Sequence, residues 1–164
     1  MASSRNVIIA GAGIGGLTAA LMLARSGFRV LLLEQAKRLE ETGAGIQLSP
    51  NATRILIGLG LGERLKADAF VPQAIAIKTA TGGHLTRVPL GEAVERRYGA
   101  PYWSIHRADL QATLLEAVDA SPDIELRLDA RVEDFVVHAN GISVACRHRS
   151  QATQELCMAL VCAD

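Results

Sequence analysis

NVIIAGAGIGGLTAALMLARSGFRVLLLEQ, residues 6–35, decides the fold. Val7–Ala10 is a short β-branched run of the kind buried on both faces of a parallel sheet. Gly11, Gly13 and Gly16 follow it in the spacing G-x-G-x-x-G, and Leu17–Arg25 reads on as an alanine-rich helix. Gly27 falls where a helix C-terminus favours a left-handed residue. Phe28–Leu33 is a second buried strand, and Glu34 ends it.

Each residue type has a physical task. Gly11 permits the tight turn off the strand, Gly13 leaves the backbone open to a pyrophosphate, and Gly16 lets helix and strand pack closely. The helix N-terminus offers N–H groups and a partial positive charge to phosphate. Glu34 lies 18 residues after Gly16, where a carboxylate can accept from both hydroxyls of a ribose. The same charge would repel a 2′-phosphate, which disfavours NADP as the tightly held nucleotide. Strand, loop, helix, strand and acid in register predict an adenine-dinucleotide fold. The spacing does not separate NAD from FAD.

Composition bounds the rest. The 164 residues suit one domain with a sizeable core, and 49% apolar content argues against disorder. Seventeen basic side chains balance seventeen acidic ones and are scattered along the chain, so neither nucleic acid nor an anionic membrane is an expected partner. Arg5 before the apolar stretch 7–24 has the look of a secretory signal, but its spaced glycines and the second apolar run at Phe28–Leu33 oppose that reading. The expected location is the cytoplasm. Cys146, Cys157 and Cys162 are odd in number, lack C-x-x-C spacing, and read as small buried thiols. His84, His106, His138 and His148 are dispersed, so no metal site is expected.

Beyond Glu34 the chain departs from an NAD-dehydrogenase half, which would continue with further strand–helix units. LEETGAGIQLSPNATRILIGLGL (39–61) reads instead as a hairpin-like region opening a long insertion. Here the sequence resembles the FAD-dependent aromatic hydroxylases, the single-component flavoprotein monooxygenases. The likeness is to the branch containing salicylate hydroxylase and hydroxynicotinate monooxygenase. It spans essentially the whole chain and rests on GAGIGG with Glu34–Gln35, on GAGIQLSPNATRIL (43–56), on VPLGEAVERRYG (88–99) and on HRADLQATLLEAV (106–118).

The resemblance implies an α/β fold: a Rossmann-like FAD-binding βαβ core with an added antiparallel β piece, truncated before the substrate domain. Residues 1–164 would be the N-terminal portion of that FAD-binding domain, with part of a substrate-facing hairpin near 74–103. It implies that Gly11, Gly13, Gly16, Glu34 and Gln35 hold the ADP half of FAD, that Gly45 and Gln47 run beside the flavin, that Arg107 contacts the cofactor, and that the Val132 backbone meets the adenine edge. The implied reaction hydroxylates a small aromatic acid with O2 and NADH or NADPH, in a possible homo-oligomer. Two other readings stay open: a non-catalytic nucleotide-binding fragment, and an NAD-dependent dehydrogenase half whose hydride-site acid or base is not visible.

Local chemistry supports part of this independently. Gly43 and Gly45 flank Ala44 with little bulk, as a backbone near a flat ring requires. Ser49 and Pro50 suit the N-cap and first residue of a helix through Ile57 that Gly58 or Gly60 ends. Arg107 opens a helix whose apolar stripe is Leu110, Leu114, Leu115 and Val118, and its charge opposes the helix dipole. Tyr98, Tyr102 and Trp103 read as core or interface anchors. Ala74–Ala80 with Leu85–Val88 predicts a hairpin, and strands are expected at 124–128, 131–137, 142–147 and 156–162. The run ALVCAD (159–164) is expected to return to the dinucleotide sheet beside the first strand.

Overall fold

A computed structural model describes residues 5–39 and 43–163, which divide into two compact units, 5–39 with 114–163 and 43–113. Unit 1 is built on a parallel sheet. Strand β1 (Asn6–Ala10) passes into helix α1 (Ile14–Arg25) and returns as β2 (Arg29–Leu33). The sheet runs β11-β1-β2-β7, with β7 at Ile124–Arg127 and β11 at Ala159–Cys162. Val7 pairs with Val30 on one side and Ala159 on the other, all parallel. The closing apolar run does lie beside the first strand.

The second layer is the antiparallel sheet β10-β9-β8, formed by Gln151–Cys157, Gly141–His148 and Ala130–His138. Ile8 and Leu33 pack with Ala130, Val144, Cys146 and Cys157 in one buried cluster, which fixes one layer on the other. Arg127 crosses to Glu155 of β10 and bonds Glu125 at 2.6 Å, and the Glu125 bond first, then Glu155, holds its guanidinium above the ordinary range.

Unit 2 pairs β3 (Gly45–Leu48) with β6 (Trp103–His106) and β4 (Ala74–Lys78) with β5 (His84–Pro89), both antiparallel. Helices α2 (Pro50–Gly58), α3 (Gly62–Asp68) and α4 (Glu92–Tyr98) complete it, and α5 (Arg107–Asp119) leaves it. Thr53 of α2 is fully buried, and its hydroxyl donates to the Pro101 carbonyl at 2.7 Å, tying the helix to the segment entering β6.

Several expectations need correction. The region 39–61 is no hairpin in itself: β3 takes its partner from β6, Gln47 against Ser104, and residues 40–42 lie outside the described residues. The strand expected at 156–162 is two strands. Met158 interrupts it, its N–H donating to the Asn6 carbonyl at 2.9 Å as the chain passes from one sheet to the other. Helix α1 starts at Ile14 rather than Leu17, and the Leu17 N–H already donates to the Gly13 carbonyl at 2.9 Å as part of its first turn. Cys162 is exposed, unlike buried Cys146 and Cys157. Ser49 holds the N-cap position, but its hydroxyl bonds Asn51 instead of the backbone.

Candidate cofactor site

The glycine loop of unit 1 has the steric logic its spacing predicts. Gly11 has φ +106°, a conformation open to glycine and strained for other residues. A Cβ on Gly16 would stand 1.9 Å from the Gly11 carbonyl oxygen, so α1 sits against the loop only because that atom is missing. A Cβ on Gly13 would meet nothing within 4 Å, which leaves open space over the loop backbone. Gly13 is also the N-cap of α1, with no side-chain cap and no acid in the first turn. The helix therefore presents its first N–H groups uncapped.

Glu34 does more than end a strand. Its Oε2 accepts from the Ala12 N–H and its Oε1 from the Ala36 N–H, each at 2.8 Å. The carboxylate thus clamps the glycine loop to the end of β2. Each oxygen retains a further lone pair for a hydroxyl donor. The sequence marked Glu34 as an acceptor, but its backbone partners depend on loop conformation and carried no signal.

A cleft of about 300 Å³ opens at this end of the parallel strands, lined by Gly11, Glu34, Gln35 and Val132 together with Arg131 and Cys162. Four of the expected cofactor residues, distant in sequence, therefore share one concavity. Ligands of open α/β sheets bind outside the carboxyl ends of the strands. Arg131 and Cys162 were not foreseen: one follows an ordinary turn, the other sits in an apolar run. A shallower groove of about 420 Å³ continues past Gln35 and Arg131 to Arg147. The Arg147 guanidinium bonds Glu133 at 2.7 and 3.2 Å, which raises its pKa.

In unit 2, Gly45 stands opposite His106 in the β3–β6 ladder, one residue before Arg107. A Cβ on Gly43 would lie 3.5 Å from the Arg107 Cδ, so the bare loop backbone runs along the stem of that side chain. Arg107 is the first residue of α5 and is exposed, while Leu110, Leu114 and Val118 are buried as the stripe requires. Gln47 accepts from the Tyr102 hydroxyl at 2.7 Å. Gly45, Gln47 and Arg107 therefore form one neighbourhood, and Trp103 beside them is core.

A glycine-rich strand–helix turn with a carboxylate ending the next strand, under a second antiparallel layer, defines a dinucleotide-binding flavoprotein domain. The chain belongs to the family described as FAD binding domain, which matches residues 4–164. FAD is the cofactor of that family. The residues present fit the ADP half: open space at Gly13, uncapped N–H groups, and an acid at the ribose position.

Over 87% of its length the chain is 41% identical to a 3-hydroxybenzoate 6-hydroxylase of Polaromonas naphthalenivorans, covering 36% of that protein. It is 36% identical, over 82% of its length, to a 6-hydroxynicotinate 3-monooxygenase of Pseudomonas fluorescens, covering 35% of it. Among solved structures, the p-nitrophenol 4-monooxygenase PnpA of Pseudomonas putida superposes with a TM-score of 0.87 at 18% identity, covering 100% of this chain and 42% of that one. That likeness shows the fold. The chain spans about a third of the length of the curated relatives it matches.

Proposed function

We propose that this chain is the FAD-holding part of an aromatic-acid monooxygenase that works in the cytoplasm. The observation carrying the reading is the unit 1 cleft, where Gly11, Glu34, Gln35 and Val132 converge at the carboxyl ends of parallel strands. Gly13 and the first turn of α1 receive the pyrophosphate, Gly16 keeps the helix close enough for its N–H groups to reach, and Glu34 accepts from the ribose. Val132 meets the adenine edge through its backbone, and Gln35 lies beside it. Gly45 and Gln47 leave a low wall beside the flavin ring, and Arg107 supplies a cation on the flavin side. The segment 74–103 belongs to the substrate-facing part of the protein.

When bound, FAD would supply hydride acceptance from NADH or NADPH and O2-dependent oxygenation of the ring of a small aromatic acid. The residues of this chain bind it, orient it, and place charge around it. Support for the substrate class is the likeness to proteins named for hydroxybenzoate and hydroxynicotinate oxygenation. The test is oxygen uptake by the flavin-loaded whole protein, of which this chain is the FAD-holding part, with NADH and a panel of hydroxylated benzoates. The chain alone is not expected to replace it. Product formed in step with NADH consumption supports the reading. NADH oxidation that no aromatic acid accelerates would overturn it.

A further inference from the structure

Strand β8 is an edge. The order β10-β9-β8 leaves one side of it open, and among the described residues no strand pairs with that side. Residues 139–140 form a two-residue loop that closes on the pair His138–Gly141. Such a closing pair exchanges both backbone bonds, and pairs of this kind alternate along an antiparallel ladder. His138, Val136 and Asp134 therefore face β9, while Phe135 and Val137 direct their N–H and C=O groups at the open side. The Phe135 N–H accordingly donates to the Asp134 carboxylate, at 2.8 Å, and not into the ladder.

The devices that usually blunt an edge are sparse here. Between Ala130 and His138 there is no lysine and no proline, and the bulge between Val132 and Asp134 ends before the exposed stretch. Phe135, Val136 and Val137 are 51%, 54% and 68% exposed, so apolar surface continues over both faces of the strand. On the face turned away from the parallel sheet, Val136 shares a row with Ser143 and the exposed Leu156.

The segment complements itself. Antiparallel pairing with a second copy about Val136 sets Phe135 opposite Val137, Val136 opposite Val136, and Asp134 opposite His138. The outward groups of Phe135 and Val137 then bond across the two-fold axis, and aromatic side chains opposite β-branched ones stabilise such neighbours. An acid also meets a base twice. His138 Nε2 lies 2.8 Å from the Ser143 hydroxyl, which leaves Nδ1 to donate to the Asp134 carboxylate of the second copy. That carboxylate is released as the Phe135 N–H pairs across the axis. An unrelated extended peptide would meet the same edge without this match. We propose that residues 134–138 of β8 pair with the same residues of a second copy, joining two three-stranded layers into one continuous sheet. The contact is isologous and closes on itself. It stops short of Val132, so the cofactor cleft stays open.

The test is light scattering of the full-length protein over a dilution series, followed by cross-linking. The natural protein should dimerise, and Val136→Lys, read beside an unchanged melting curve, should weaken the dimer at least about tenfold. Asp134→His should also weaken it, and adding His138→Asp, which restores the pair with its members exchanged, should recover most of the loss. Val136→Cys places two thiols opposite each other across the axis on backbones about 4.5 Å apart, within disulfide reach. It should form a 136–136 disulfide under mild oxidation, with or without FAD. Gln151→Cys, exposed on β10, should form no such link. A protein that stays monomeric, a dimer that Val136→Lys leaves intact, or a Val136→Cys protein without the 136–136 disulfide would each overturn the pairing.

Discussion

Glu34 shows how one residue can carry structure and recognition together. Its carboxylate bonds the Ala12 N–H, and Ala12 is fully buried, so removing the acid strands a buried donor. Glu34→Ala should lower the apo melting stability by about 1–3 kcal/mol and, through loss of a charge-assisted ribose contact of ~1.5–3 kcal/mol, weaken FAD by about one to two decades. Melting curves and flavin fluorescence titration read the two effects separately. Unchanged FAD affinity with lowered stability would leave Glu34 as a loop clamp only. The glycines of the loop make a matched pair: Gly16→Ala drives a Cβ into the Gly11 carbonyl and should prevent folding or cost several kcal/mol, whereas Gly15→Ala meets nothing within 4 Å and should be neutral or stabilise α1 by about 0.5–1 kcal/mol.

The thiols test the cleft without a mutation. Cys162 is exposed and lines the cleft with Glu34 and Val132, while Cys146 and Cys157 are buried. Iodoacetamide should label Cys162 first, and FAD should slow that reaction; labelling that FAD leaves untouched would argue against occupancy there. Burial pushes the Cys157 thiol up, so the folded chain keeps its proton longer than the unfolded one. Its contribution is complete below the ordinary thiol range and is lost as pH rises through that range toward the folded value. Melting temperature should therefore fall more steeply in alkali for the natural chain than for Cys157→Ala.

At the level of elements, legibility followed sequence distance. The β1–α1–β2 unit, the β4–β5 hairpin and helix α5 are written in local periodicity and turn glycines, and each formed close to where that pattern put it. The β3–β6 pairing was not legible, because Gln47 and Ser104 share a ladder across the whole of unit 2 and no local pattern names a distant partner. The break at Met158 was hidden for another reason: Leu156–Cys162 is uniformly apolar, and only the bond to Asn6 reveals the change of sheet. Gly141 marks that junction, with φ +145° and a would-be Cβ 2.7 Å from the Cys157 carbonyl. Gly141→Ala should destabilise the β9–β10 layer by a few kcal/mol. Hydrogen exchange would show lost protection in 141–157 before any change in α1; a uniform loss across unit 1 would contradict a local role.

At the scale of the molecule, the glycine loop, the acid at the strand end and the second layer at Ala130–Val132 converge on one cleft, and the proposed FAD site rests on that convergence. The ring that the proposed monooxygenase would oxygenate has no comparable signature in these residues, since substrate contacts are set by side chains spread over a pocket rather than by backbone spacing. The most direct measurement is a titration of the chain with FAD, followed by displacement with ADP, using flavin fluorescence. FAD should bind, ADP should displace it competitively, and Glu34→Ala should weaken both ligands by the same factor. FAD binding that ADP cannot displace, or equal ADP affinity in the natural chain and Glu34→Ala, would contradict the proposed site.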